Sequence, residues 1–146
     1  MSLQAMYDQI ARHYIIADKF GALSQSHTVA LEQIKQTALS SKKPIHVLDF
    51  GVGDAAFLKK LDGVLPSAEL FGIDISAEML LQAQQTLPKL HTTQADSAKA
   101  SHYFPLHSQD LVLAHFINAY IPVHTLFEQA ELLTKANGYF VDYDNV

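Results

Sequence analysis

The residues able to do chemistry in this 146-residue chain stand where apolar runs end. Asp49 lies near the close of Ile45–Phe50, Asp74 follows Glu69–Ile73, Asp96 follows Leu90–Ala95, and His115 closes Asp110–His115. After Asp49 comes the turn Gly51-Val52-Gly53-Asp54-Ala55-Ala56. Its two glycines permit positive φ and leave no Cβ between backbone and a ligand. Carboxylates at strand ends can accept hydrogen bonds from hydroxyl or amino groups. An imidazole, with an unperturbed pKa near ~6.5, suits a general base. Each residue also has a plainer reading. The glycines make a tight turn, Asp74 caps the next helix, Asp96-Ser97 is an ordinary turn, and His115 is a hydrogen-bonded wall residue.

The glycine turn also fits the dinucleotide pattern G-x-G-x-x-G/A, so spacing alone does not select the ligand. A dinucleotide would set a pyrophosphate, about two negative charges, on the helix N-terminus. Asp49 and Asp54 flank that spot. At ~5 Å and an effective dielectric near ~20, each like-charge pair costs roughly 3 kcal/mol. The helix dipole returns about 0.3–1 kcal/mol. Repulsion wins, and a ligand carrying positive charge is expected.

The elements that position these residues alternate. Leu3–Leu39 is helical in character, with Met6, Ile10, Tyr14 and then Leu31, Ile34, Ala38 at three- and four-residue spacing and a break at Gly21. Ser40–Pro44 is a connector. Ile45–Phe50 reads as a strand buried on both faces, Asp54–Leu65 as a helix, and Glu69–Ile73 as a second strand. A helix capped by Ser76 follows, with Met79, Leu80, Ala83 and Leu87 as its apolar stripe. Leu90–Ala95 and Asp110–His115 are further strands, Val123–Leu133 a helix, and Tyr139–Tyr143 a fifth strand entered through Asn137-Gly138 as a helix stop. Phe57, Leu58, Leu61, Met79, Leu80, Phe127 and Leu133 are expected in the core, and Lys42-Lys43 and Lys59-Lys60 in solvent. Such alternation implies a Rossmann-like, doubly wound, mainly parallel α/β sheet of about five strands with helices on both faces. Residues 1–43 form a helical cap and 44–146 the core, together one domain. Ligands of such sheets sit beyond the carboxyl ends of the strands.

On these residues the chain resembles the class I S-adenosylmethionine-dependent methyltransferases of small-molecule type. Asp49–Ala55 is similar to their first motif, with Ala55 where a third glycine often stands. Phe71–Leu80 resembles their second-strand motif, Ala95-Asp96-Ser97 the turn after the third strand, and Phe104-Pro105-Leu106 with Asp110–His115 the fourth strand and its approach. Met6–Tyr14 resembles a helix that covers the cofactor. The resemblance implies S-adenosylmethionine as cofactor, S-adenosylhomocysteine as product, and a small-molecule acceptor. Asp49, Phe50, Gly51, Gly53, Asp74, Ile75, Met79, Asp96, Ser97 and His115 would bind the cofactor. Within that set Asp74 would hold the ribose hydroxyls, Ile75 would pack on adenine and Asp96 would reach its amino group. Tyr14, Asn118 and Tyr120 would line the acceptor pocket, and His115 is the candidate catalytic base.

Two departures stand out. The family core usually has seven strands and this chain supplies five, so a truncated form, a naturally short protein or a self-completing subunit is expected. The edge ending Val141-Asp142-Tyr143-Asp144 then becomes a template for a homodimer. The family's amine methylases also carry an Asn/Asp-Pro-Pro-aromatic turn where this chain has His115–Tyr120, which disfavours nucleobase amines as acceptors. Asp110 stands at the wrong end of its strand for a catalytic metal ligand.

Composition bounds the rest. Hydrophobic residues make up 49% and charged ones 17%, enough apolar surface for a core. Ten basic against 15 acidic residues give −5, which offers no broad surface for nucleic acid. There is no cysteine, and the eight histidines lack metal-ligand spacing, so no metal is expected. No apolar run approaches a membrane span, and a cytoplasmic protein is expected. The rival readings are a non-catalytic or incomplete S-adenosylmethionine-binding module and an NAD(P)-binding oxidoreductase domain.

Overall fold

The computed structural model describes residues 31–32, 34–35, 44–114 and 121–142. Five parallel strands form one sheet in the order β3-β2-β1-β4-β5: β1 His46–Phe50, β2 Glu69–Asp74, β3 His91–Gln94, β4 Gln109–Ala114 and β5 Thr134–Asp142. The apolar run of β1 explains its central place, because a strand covered on both faces has no position for a solvated side chain. The short polar β3, His91-Thr92-Thr93-Gln94, takes one edge.

Alternation along the strands divides the core in two. Val47, Leu70, Leu111, Leu113 and Val141 face α1 (Ala56–Val64) and α2 (Ala77–Thr86), where Phe57, Leu58, Leu61, Leu80 and Ala83 cover them. Leu48, Phe50, Ile73, Val112 and Ala114 face α3 (Val123–Leu133), with Leu126, Ala130 and Leu133, and a 3-10 segment at Ser97–His102. The chain runs outward from β1 to β3, then crosses to β4 on the other side of β1. The order therefore reverses between β1 and β4, where α/β sheets open a crevice for ligands.

Several boundaries differ from the sequence reading. The first helix begins at Ala56 rather than Asp54, because Ala55 has φ +64° and cannot belong to a right-handed helix. Strand β2 includes Asp74, and β3 loses Leu90 and Ala95, which are buried beside it. Met79 is 39% exposed and leaves the expected core, and Phe127 is only half-buried. The largest correction concerns β5, which starts at Thr134 and not at Tyr139, so Asn137-Gly138 is not a helix stop. Helix α3 ends at Leu133, where the backbone of Thr134 turns extended while its N–H and its hydroxyl both donate to the Ala130 carbonyl, the hydroxyl at 2.6 Å. Pairing with β4 then slips between Gln109 and Leu111, whose partners are Thr134 and Tyr139. Gly138 fits that irregular stretch, since a Cβ there would lie 2.8 Å from the Asp110 carbonyl oxygen. The end of the fifth-strand reading, Tyr143, lies outside the described residues, as does most of the cap 1–43. Of that cap, Ile34 is buried against the α1–α2 side of the core.

Candidate active site

The turn from β1 into α1 is the centre of the candidate site. Gly51 and Gly53 have φ of +64° and +58°, which confirms that the turn needs the left-handed region where glycine carries no Cβ penalty. Ala55 adopts the same region, so the backbone of a three-glycine loop persists with alanine in the third place. Its methyl is fully buried in the core.

Three contacts tie this turn to β2. Asp74 Oδ2 accepts the Gly53 N–H at 2.9 Å, the Val52 N–H donates to the Ile73 carbonyl at 3.1 Å, and Val52 sits on Gly72. A Cβ on Gly72 would meet Val52 carbons at 2.8–2.9 Å, so glycine there lets the turn lie against the strand. Asp74 Oδ1 also accepts the Ser76 N–H at 2.9 Å. The Asp74 carboxylate therefore joins the glycine turn to the start of α2. Each oxygen keeps further lone-pair capacity for a ligand hydroxyl. Ser76 caps α2 by accepting the Met79 N–H, as expected from the sequence.

Asp49 is 3% exposed, and its Oδ1 meets no hydrogen-bond partner among the described residues. Burial, and secondarily the Asp74 carboxylate, holds its carboxyl well above the usual carboxylate range. Asp54 is exposed and turned onto the Ala56 N–H at 3.0 Å. This changes the electrostatic reading. The neighbour acting on Asp49 is Asp74 from the next strand, while Asp54 stands in solvent, where its repulsion is screened.

The remaining cofactor candidates line the same end of the sheet. Ile75 is 72% exposed just past β2. Met79 places its methyl 3.8 Å from where a Gly53 Cβ would stand. Ala95 N–H donates to the Asp74 carbonyl, which brings the turn after β3 beside the end of β2. In that turn Asp96 accepts the Ala98 N–H at 2.9 Å and caps the 3-10 segment, with Ser97 buried behind it. Phe50 is fully buried on the α3 side. The structure thus brings Asp49, Gly51, Gly53, Asp74, Ile75, Met79, Asp96 and Ser97 to one end of three strands. His115, Tyr14, Asn118 and Tyr120 lie outside the described residues. Sequence reasoning missed Gly72 and Val52. Their signal was a glycine inside an apolar strand, which often marks a close backbone approach.

Comparison with known proteins places this geometry. A family described as "Methyltransferase domain" matches residues 47–138, more than half of the chain. The chain is 35% identical over 78 residues to a trans-aconitate 2-methyltransferase from Azoarcus sp. (strain BH72). That match covers 53% of this chain and 30% of the relative. Among solved structures, it is similar to the plantazolicin methyltransferase BpumL, in complex with a monoazolic desmethylPZN analog and SAH. There the TM-score is 0.64 with 26% identity, over 80% of this chain and 47% of that one. The fold also matches the PH0226 protein from Pyrococcus horikoshii OT3 at a TM-score of 0.66, with 20% identity over 98% of this chain and 66% of that one.

Proposed function

Because the chain belongs to the methyltransferase-domain family, we propose that it binds S-adenosylmethionine at the carboxyl ends of β1–β3 and takes part in methyl transfer to a small-molecule acceptor. The observation that carries this reading is the Asp74 carboxylate, fixed by the Gly53 and Ser76 N–H groups at the end of β2. The described residues suit such a ligand. Asp74 has acceptor capacity left for two ribose hydroxyls, Ile75 offers an exposed apolar face to a purine, and Asp96 and Ser97 flank its edge. Gly51 and Gly53 let the ligand's carboxylate approach backbone N–H groups, and Asp49 awaits its cationic end. The sulfonium-bound methyl is already activated, so the chain's part is alignment and exclusion of water. His115 is our candidate base for acceptors that lose a proton, with Tyr14, Asn118 and Tyr120 as pocket residues contributed by the cap and the turn after β4.

The small-molecule class is supported by the relatives named for trans-aconitate and plantazolicin. The acidic balance argues against nucleic acid as acceptor. Among the described residues no helix is long and apolar enough to cross a membrane, and we place the protein in the cytoplasm. In this reading residues 1–43 are the N-terminal cap and 44–146 the S-adenosylmethionine-binding core of one domain. The outer edge of β5 is the proposed pairing surface for a second copy, and sedimentation would test it. The functional test is calorimetric titration with S-adenosylmethionine, S-adenosylhomocysteine and NAD in parallel. Micromolar binding of the first two without NAD is expected, and binding of NAD alone would overturn the reading. A methyl-transfer assay with small carboxylic acids, trans-aconitate included, follows.

A further inference from the structure

Asp49 stands out in the site as a carboxyl group buried at the end of β1. Its carboxylate is almost wholly removed from water, and its Oδ1 has no hydrogen-bond partner among the described residues. An ionised carboxylate in that state lacks both hydration and a counter-charge. Among the described residues the groups facing it supply none. From β2 come Gly72, at the same register, and Asp74, which is acidic and acts on it electrostatically. From β4 comes Leu113. The glycine turn contributes Asp54, exposed and turned away onto Ala56. On β5, Asp142 is level with Ala114 and Phe50 and not with Asp49. Lys59 and Lys60 of α1 and Glu78 of α2 are exposed.

We propose that Asp49 is a proton-coupled receptor for the ammonium of the cofactor's methionyl end: it holds a proton in the empty protein and gives it to solvent when the ammonium arrives. This inference rests on the S-adenosyl reading of the site. The carboxyl O–H bond breaks with both electrons left on oxygen, the proton leaves with water, and the carboxylate pairs with an ammonium whose own protons are unchanged. The burial that holds the Asp49 carboxyl above the usual carboxylate range acts in the same direction. Linkage fixes the sign. Affinity falls as pH drops below the point where Asp49 ionises in the empty protein, by up to about tenfold per pH unit. Above that point affinity is flat and no proton is released.

The test is titration calorimetry of the full chain with S-adenosylhomocysteine across a pH series, in buffer pairs with different heats of protonation. The control ligand is 5′-methylthioadenosine, which keeps the nucleoside and sulfur but has no ammonium. Expected is release approaching one proton for S-adenosylhomocysteine on the acid side and none for the control, with Asp49→Asn losing both the release and the pH slope. Wild-type binding without proton release at any pH would overturn the proposal, as would equal release from Asp49→Asn or with the control ligand. Those results leave the cofactor reading standing, whereas absence of binding by every adenosyl ligand brings down both. Carboxyl carbon resonances of the wild type give a second measurement that needs no variant. The Asp49 titration midpoint should fall when S-adenosylhomocysteine is added, and an unmoved midpoint contradicts the coupling.

Discussion

The Asp74 carboxylate accepts the backbone N–H of Gly53 at 2.9 Å across 21 residues of sequence. The strand-end acid proposed to hold a ribose thus also holds the loop that must lie against the rest of the ligand. Recognition of the two halves is linked through one side chain.

Asp74→Ala should therefore do more than remove a ribose contact. Hydrogen bonds to a charged acceptor contribute roughly 1.5–3 kcal/mol each, so cofactor affinity should fall at least about tenfold. The Gly53 amide should also exchange with solvent faster in the free protein. Asp74→Asn should fall between, because its NH₂ must face one of the two N–H donors now bound. Calorimetry and amide exchange check both effects. An unchanged Gly53 exchange rate in Asp74→Ala would show that the turn is held by other contacts.

Gly72→Ala should displace the turn from beneath. The new methyl would stand 2.8 Å from Val52 Cγ1, and a short β-branched side chain has little room to swing aside. Overpacking of this kind costs about 1–3 kcal/mol of stability, and cofactor affinity should fall with it. Val52→Ala in the Gly72→Ala background should recover part of both, measured by denaturant unfolding and by titration.

Asp49 gives a pH-dependent stability difference with a definite sign. Its folded-state pKa is raised by burial and then by Asp74. Its contribution to stability is thus fully present below the unfolded value, about 3.9, and is lost as pH rises through the folded one. Asp49→Asn should therefore melt above the wild type at neutral pH, with the gap closing in acid. A constant gap across the series would contradict the burial of an ionisable group.

At the opposite end of the sheet, Asp110 accepts the His46 N–H at 2.8 Å and the Lys135 ammonium at 3.1 Å. Asp110→Ala leaves the partly buried His46 N–H without its acceptor and should cost about 1–3 kcal/mol. The Lys135 side chain is 45% exposed, so Lys135→Ala should cost no more than about 1 kcal/mol. Neither should change cofactor affinity, because both stand at the amino ends of the strands. Thermal melts and titration separate the two effects.

Much of this molecule is written locally. Alternation of buried strands with amphipathic helices specifies α/β, and Val123–Leu133 is a helix with the bounds its pattern gives. Gly51 and Gly53 announce positive φ, and Ser76 announces a cap, because these properties depend on a residue and its near neighbours. Other features depend on residues distant in sequence and became visible only in three dimensions. The order β3-β2-β1-β4-β5 sets Asp74 beside the glycine turn and Asp49 beside Asp74. Gly72 reads as a weak point in a strand until Val52 is seen packed on it. The pattern before Tyr139 reads as a loop because the irregular pairing of β5 is imposed by β4, not by its own propensity. Whether Asp49 is a charge or a proton store follows from burial and from a neighbour 25 residues away. The sequence by itself determined which residues could meet a ligand. The tertiary structure decided which of them share a site and in what electrostatic state, because strand order and desolvation are properties of the assembled sheet.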